Sequence, residues 1–547
     1  MKKVFYSVLL FLVGAEITLA QNEEIKVKKA NFSLGDPYKV VEAWYKFYFA
    51  QEEEMMSVKF IKAKVIIQKF NTNNFTQISN NTIEKMPKGY VLERMVEINK
   101  KYFLFYSIWD KANTSEQLFS QEIDWATGSF KGEAKLVLKV KGKIRGTFSK
   151  YTDDVEIKSK FDFRKSYDES KLMIYYRKRP EEKNDELNYD IVGLFVFHDD
   201  IEEIWGEEVT MPYTEKKMDN IGYSVDKSGN AYILARVYKD DITDKTIKGN
   251  KDPIYKIEIL QVPAGSKNVK KNEIDKTIVE LENTFIQEIK MYEGPEDYMI
   301  CTGFYTKEKN IADGATGIFH FKIGRNGNLY ENNQFDFPLE MINQYERDRE
   351  EKKKEEKGED NAVHVPNLAL KNIRIGNDGS IVIIGEQYWW RMVRAGKDNT
   401  NTYHFYYGMV ITKINPDGEL AFMKYLPKRQ VGMNNGQGGM SVAYMFNEDR
   451  KAHYLVYLDL ESNIKLDEND VVQFYSDGRD GFLNACVVSD DDGSVNKVSI
   501  LNIKDAKGTK LAEFSVDRIY QTSPGTFGFE ANINKKEDII IGVNMVK

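Results

Sequence analysis

Asn372-Ile373-Arg374-Ile375-Gly376-Asn377-Asp378-Gly379-Ser380-Ile381-Val382-Ile383-Ile384-Gly385-Glu386-Gln387-Tyr388 is the stretch whose reading decides the fold. Two apolar runs flank Asn-Asp-Gly, which supplies the positive-φ residue that a tight hairpin requires. The pattern repeats after a polar loop. Gly408-Met409-Val410-Ile411-Thr412-Lys413-Ile414 leads into Pro416-Asp417-Gly418, and Glu419 to Leu426 follows. Four strands joined by short turns make one antiparallel meander sheet.

Outward from this unit, the turn before the fourth strand recurs at about Asn73, Gly128, Asp200, Gly265, Gly327, Gly418 and Gly493, at intervals of 55, 72, 65, 62, 91 and 75 residues. The 91-residue interval holds the mixed-charge run Glu346 to Asp360. First and second strands read the same way in Ile221 to Val225 with Ala231 to Ala235, and in Gln287 to Met291 with Tyr298 to Cys301. The expectation is an all-β, seven-bladed β-propeller of four-stranded antiparallel blades, because radial packing buries both faces of each sheet. Val58 to Phe70 and Phe75 to Ile83 read as a third and fourth strand without a first and second. Thr526 to Ile533 and Asp538 to Val546 are expected to complete that blade by pairing N- and C-terminal strands. Six or eight blades are the fallback counts. The competing architecture, two or three β-sandwiches in series, needs Pro- or Gly-rich linkers that the sequence lacks.

The 547 residues are 41% hydrophobic, 30% charged and 13% aromatic, with 32 Tyr, 31 Phe and 12 Pro, an ordinary globular make-up. With 78 Lys+Arg against 85 Asp+Glu and a net charge of −7, no global positive field invites nucleic acid. Residues 1–20 read as a cleavable signal peptide: Lys2 and Lys3, the apolar run Val4 to Ala15, and Thr18-Leu19-Ala20 before cleavage after Ala20. A secreted or periplasmic protein that does not span a membrane is expected. The organisation reads as a lead segment at 21–56 and a single propeller at 57–547 carrying a charged insertion at 341–362. Cys301 and Cys486, both in apolar runs, are expected to be buried free thiols.

Catalytic signatures are absent: there is no Gly-x-Ser-x-Gly, His-Glu-x-x-His, Walker loop or Gly-x-Gly-x-x-Gly. The five histidines, His198, His320, His364, His404 and His453, show no metal-ligand spacing, and Asp490-Asp491-Asp492-Gly493 misses the charged ends of a calcium loop. No catalytic residue, metal or cofactor is expected. The candidate ligand surface lies at the decisive repeat. Its second strand ends in Glu386, Tyr388, Trp389, Trp390 and Arg391, its next loop brings His404 and Tyr406, and its fourth strand runs into Lys428, Arg429 and Gln430. Propeller topology sends these loops to one rim, where aromatic faces beside cations and amides suit a carbohydrate, peptide or protein ligand. The opposing reading has the aromatics wedging adjacent sheets together.

Gly385-Glu386-Gln387-Tyr388-Trp389-Trp390, Ile414-Asn415-Pro416-Asp417-Gly418-Glu419-Leu420 and Leu426-Pro427-Lys428-Arg429-Gln430 resemble a recurring pattern in uncharacterised secreted β-propeller proteins of Gram-negative bacteria. The likeness extends to Met56-Ser57-Val58-Lys59 and Met86-Pro87-Lys88-Gly89-Tyr90. It implies fold and compartment and transfers no catalytic residue. The expectation is a non-catalytic binding scaffold. The alternatives are an extracytoplasmic hydrolase or lyase at the channel mouth and a purely structural envelope protein.

Overall fold

The computed structural model describes residues 28–545, except 44, 62–63, 84–85, 146–159, 180–187, 240–253, 280, 282–283, 308–313, 339–363, 395–399, 435–437, 467–471 and 477–480. The signal segment and the charged insertion lie outside these residues. The described chain is mostly strand with almost no helix, and its strands form eight sheets, most of them joining neighbours in sequence.

Sheet 1 comprises Tyr45–Gln51, Glu54–Ile61, Lys64–Asn71 and Gln77–Ile83. Sheet 2 runs from Val91–Ile98 to Ser129–Lys141, and sheet 3 from Asp162–Lys165 to Glu203–Thr214. Sheet 4 spans Met218–Val225 to Asp275–Val279, and sheet 5 Phe285–Glu293 to Leu329–Asp336. Sheet 6 comprises Leu368–Ile375, Ile381–Arg394, Thr400–Ile414 and Leu420–Leu426. Sheet 7 spans Ala443–Asn447 to Val495–Asn502, and sheet 8 is centred on Thr526–Asn534 and Glu537–Asn544.

The described residues thus form eight sheets, one more than the expected seven and equal to one of the fallback counts. Val58 to Ile83 does not lack its first strands, because Tyr45–Gln51 pairs with Glu54–Ile61 and completes a sheet. Residues 28–56, expected as a lead segment, therefore contribute strands. The C-terminal pair instead takes Asn31–Leu34 and Tyr38–Lys39, both antiparallel to Glu537–Asn544.

Both faces of the central strands are buried. Along the second strand of sheet 6, Ile381 and Ile383 pack toward sheet 5, whereas Val382 and Ile384 pack toward sheet 7. This is the period-2 alternation of a strand with apolar partners on either side. One hydrophobic cluster joins each consecutive pair of sheets, from Val58 and Leu104 between sheets 1 and 2 to Val456 and Phe529 between sheets 7 and 8. A further cluster of Tyr38, Met55, Phe70, Phe75 and Ile540 joins sheet 8 back to sheet 1. Each large side chain so buried contributes roughly 1.5–3 kcal/mol. Successive antiparallel sheets of four to six strands packed face on face in this way are a β-propeller arrangement.

The turns behave as their chemistry requires: Gly379 and Gly418 hold φ of 87° and 85°. The first strand of sheets 2, 4, 5 and 6 carries a one-residue register shift against the second, between Leu92 and Arg94, Asn220 and Gly222, Ile286 and Glu288, and Leu370 and Asn372. Such bulges re-aim the side chains that follow. Cys301 and Cys486 are buried free thiols, and burial pushes both thiol pKa values up, as expected for inert cysteines.

Candidate functional site

The second and third strands of sheet 6 are the longest consecutive pair in the sequence-predicted site, and they outrun the sheet. Beyond the bulge between Glu386 and Tyr388, the hairpin continues with Tyr388 opposite Tyr406, Trp389 opposite Phe405, Trp390 opposite His404 and Arg391 opposite Tyr403. Gln430–Met433 adds a third strand against Tyr403 to Tyr406, and Tyr475–Ser476 pairs with it in parallel. What reads as a loop in sequence is a projecting three-stranded extension.

Alternation sorts its side chains onto two faces. On one face, Trp389 stacks on Phe405 with centroids 5.1 Å apart and meets Tyr407 edge-on at 4.3 Å. Tyr407 in turn meets Phe474 at 5.8 Å. The Arg429 guanidinium lies 5.7 Å from the Tyr407 centroid and 5.4 Å from that of Phe474. Phe474 and Met433 remain exposed at the edge of this patch. On the other face, the Tyr388 hydroxyl and His404 Nδ1 share a hydrogen bond of 2.9 Å, and Tyr388 leans on Tyr406 at 4.9 Å. Trp390 and Met392 project beyond them, 52% and 60% exposed, so neither serves the core.

Four of the residues expected on the rim are buried instead. Glu386, Lys428 and Gln430 are buried. Lys428 Nζ donates to Glu386 at 2.5 Å and to Gln430 Oε1 at 2.9 Å, and Ser441 Oγ donates to Glu386 at 2.6 Å. Gln430 Nε2 donates to the Leu458 carbonyl at 2.8 Å, and Lys371 Nζ lies 3.3 Å from Glu386. Burial opposes the Glu386 charge, but Lys428 and Lys371 outweigh it and hold the carboxyl below its usual range. These residues fasten the connection between sheets 6 and 7. Tyr406 is buried with them, whereas Tyr388, Trp389, Trp390, Arg391, His404 and Arg429 keep accessible surface.

Sequence reasoning missed Phe474 and Met433 as members of the patch. The Phe474-Tyr475 dipeptide following Val471-Val472 was the available signal. Two other strand histidines, His320 and His453, are buried, whereas His198 is exposed. His453 is buried between the Tyr444 hydroxyl and Asp490, each at 2.9 Å, while burial and then Lys322 push the His320 pKa down to about 4.

No protein-family profile matches the chain, and no curated protein matches it. Among solved structures, the polysaccharide lyase Uly1 is similar at 9% identity over 97% of this chain and 94% of that one, with a TM-score of 0.36. The WD40 domain of SCAP from fission yeast is similar at 9% identity over 94% of each chain, TM-score 0.35. The β-propeller domain of the Trilobed protease from Pyrococcus furiosus covers 76% of this chain and 95% of its own at 12% identity, TM-score 0.30. At these values no activity, substrate or partner is carried over.

Proposed function

We propose that the eight sheets close as one ring and that the protein is a secreted or periplasmic, non-catalytic binding scaffold whose ligand sits on the sheet 6 extension. The observation that supports this reading is the extension itself: Trp389, Phe405, Tyr407 and Phe474 packed around Arg429, with Trp390 and Met392 projecting past any core they could fill. Exposed apolar groups clustered on one projecting element mark an interaction surface. Flat rings beside a guanidinium suit a pyranose face or an extended peptide, since both offer apolar surface edged by hydrogen-bonding groups.

The test is a glycan and peptide array probed with the parent protein and with Trp390→Ala and Arg429→Ala. Binding is expected to weaken roughly tenfold or more in each variant, the size of effect found at aromatic and arginine anchors. Unchanged binding in both variants would sink the proposal.

A further inference from the structure

The second strand of sheet 6 loses one neighbour partway along. Leu368–Ile375 pairs with it only as far as Gln387, and the Tyr388 N–H then donates to the Asn367 carbonyl at 2.9 Å. Upstream of Asn367 the chain turns off toward sheet 5, where Val365 and Ala315 exchange backbone hydrogen bonds of 2.9 and 2.7 Å. Trp389 to Arg394 stay paired with Thr400–Ile414 on one side, and among the described residues no strand pairs with them on the other. Backbone groups alternate in direction along a strand, so those of Trp390, Met392 and Arg394 point outward as the Tyr388 N–H does. An open edge of this kind is a template for another chain.

The side chains along the edge narrow what that chain can be. Alternation puts Trp389, Arg391 and Val393 on one face, and Trp390, Met392 and Arg394 on the other. Trp390, Met392 and Val393 are 52%, 60% and 40% exposed, and both arginines are exposed. Apolar surface thus flanks the edge on both sides. A bilayer or other flat surface reaches one face of a hairpin, whereas a strand laid along the edge covers the flanks of both, because its own side chains alternate. Charge then selects the strand. The described residues of the extension include Arg391, Arg394, Arg429 and His404 and no exposed acid, on a chain whose net charge is −7. Edge-to-edge pairing with a second copy would place the same cations in both strands, which like-charge repulsion disfavours.

Resting on the reading that the extension is the ligand surface, we infer that its ligand is an extended acidic peptide, which adds as a further strand along Trp389 to Arg394. Backbone hydrogen bonds to the open edge supply affinity, and Trp390, Met392 and Val393 cover apolar side chains of the added strand. Arg391 and Arg394 lie three positions apart on opposite faces. They select acids at the same spacing, since a strand also turns residues three apart to opposite faces.

The probe is a labelled, end-blocked peptide, Thr-Glu-Val-Val-Glu-Thr, titrated with the full chain by fluorescence anisotropy beside versions carrying Gln or Lys in place of both Glu. The Glu peptide is expected to bind roughly tenfold tighter than the Gln peptide, the combined effect of two partly exposed ion pairs, with the Lys peptide weakest. In the double variant Arg391→Glu with Arg394→Glu, both at exposed positions, that order reverses. An added strand uses every second amide, so methylating one alternate set of peptide nitrogens should abolish binding and methylating the other should leave it. Three results overturn the inference: equal binding of the Glu and Gln peptides by the parent, an unchanged order in the double variant, or equal loss from the two methylated sets. Binding of polygalacturonate without binding of any peptide also overturns it and marks the extension as a surface for anionic sugars. Array ligands that are lost in Arg429→Ala while no Glu peptide binds leave the ligand surface standing and remove only the added strand; a protein that binds neither fails both readings.

Discussion

Lys428 illustrates what a single residue can conceal. A lysine after a strand end defaults to solvent, and its partner Glu386 is 42 positions away, so no local pattern announces a buried pair. Sequence periodicity put both on the rim for that reason, together with Gln430. The energetic consequence is large. Lys428→Met leaves Glu386 buried with only Lys371 as a nearby cation, and is expected to cost about 3–5 kcal/mol in chemical denaturation. Adding Glu386→Gln removes the stranded charge and should recover a substantial part of that loss, a non-additivity that a double-mutant cycle reads directly. Sequence left the aromatics open between the rim and a wedge between sheets, since a strand core can bury a tryptophan as it does Trp205; Trp389, Trp390 and Arg429 keep accessible surface.

At the scale of elements, the tight turns were legible because Asp-Gly chemistry is local, whereas the bulges were not, since a register shift depends on the partner strand. Gly303 shows why one of them matters. The shift between Ile286 and Glu288 brings the Glu288 carbonyl so close that a Cβ on Gly303 would lie 1.9 Å from its oxygen. Because that obstacle is backbone rather than a movable side chain, Gly303→Ala should destabilise by about 2 kcal/mol or more, seen as a lower denaturation midpoint. The hairpin of sheet 6 was misjudged for a related reason: Tyr388 to Arg394 shows no clean alternation of polar and apolar residues, which reads as a strand end followed by a loop. Its continuation rests on Gln430–Met433, a pairing supplied by a distant segment.

For the whole molecule, repetition was readable and the join was not. Glu513–Phe514 and Tyr520–Ser523 are too short and polar to signal sheet 8, and its remaining partners come from the opposite end of the sequence. The join is also where charge is concentrated. Glu530 of sheet 8 accepts from Lys46 at 2.5 Å and the Tyr38 hydroxyl at 2.6 Å, and pairs with Lys59 of sheet 1. Burial alone would raise its pKa, but Lys59 and Lys46 bring it down to about 2. A carboxyl held lower in the folded protein than its ordinary value near 4.5 contributes stability at pH above that value and loses it as pH falls toward 2. The unfolding midpoint of the parent should therefore drop more steeply between pH 4.5 and 2 than that of Glu530→Gln; equal slopes would show that the join does not titrate. The pairing of Asn31–Leu34 with Glu537–Asn544 has a temporal meaning as well. These segments are separated by about five hundred residues, so contact between them carries a loop-closure cost that local hairpins escape. Asn31–Leu34 cannot take its place in sheet 8 until Glu537–Asn544 has been made, so this pairing belongs to the late steps of folding.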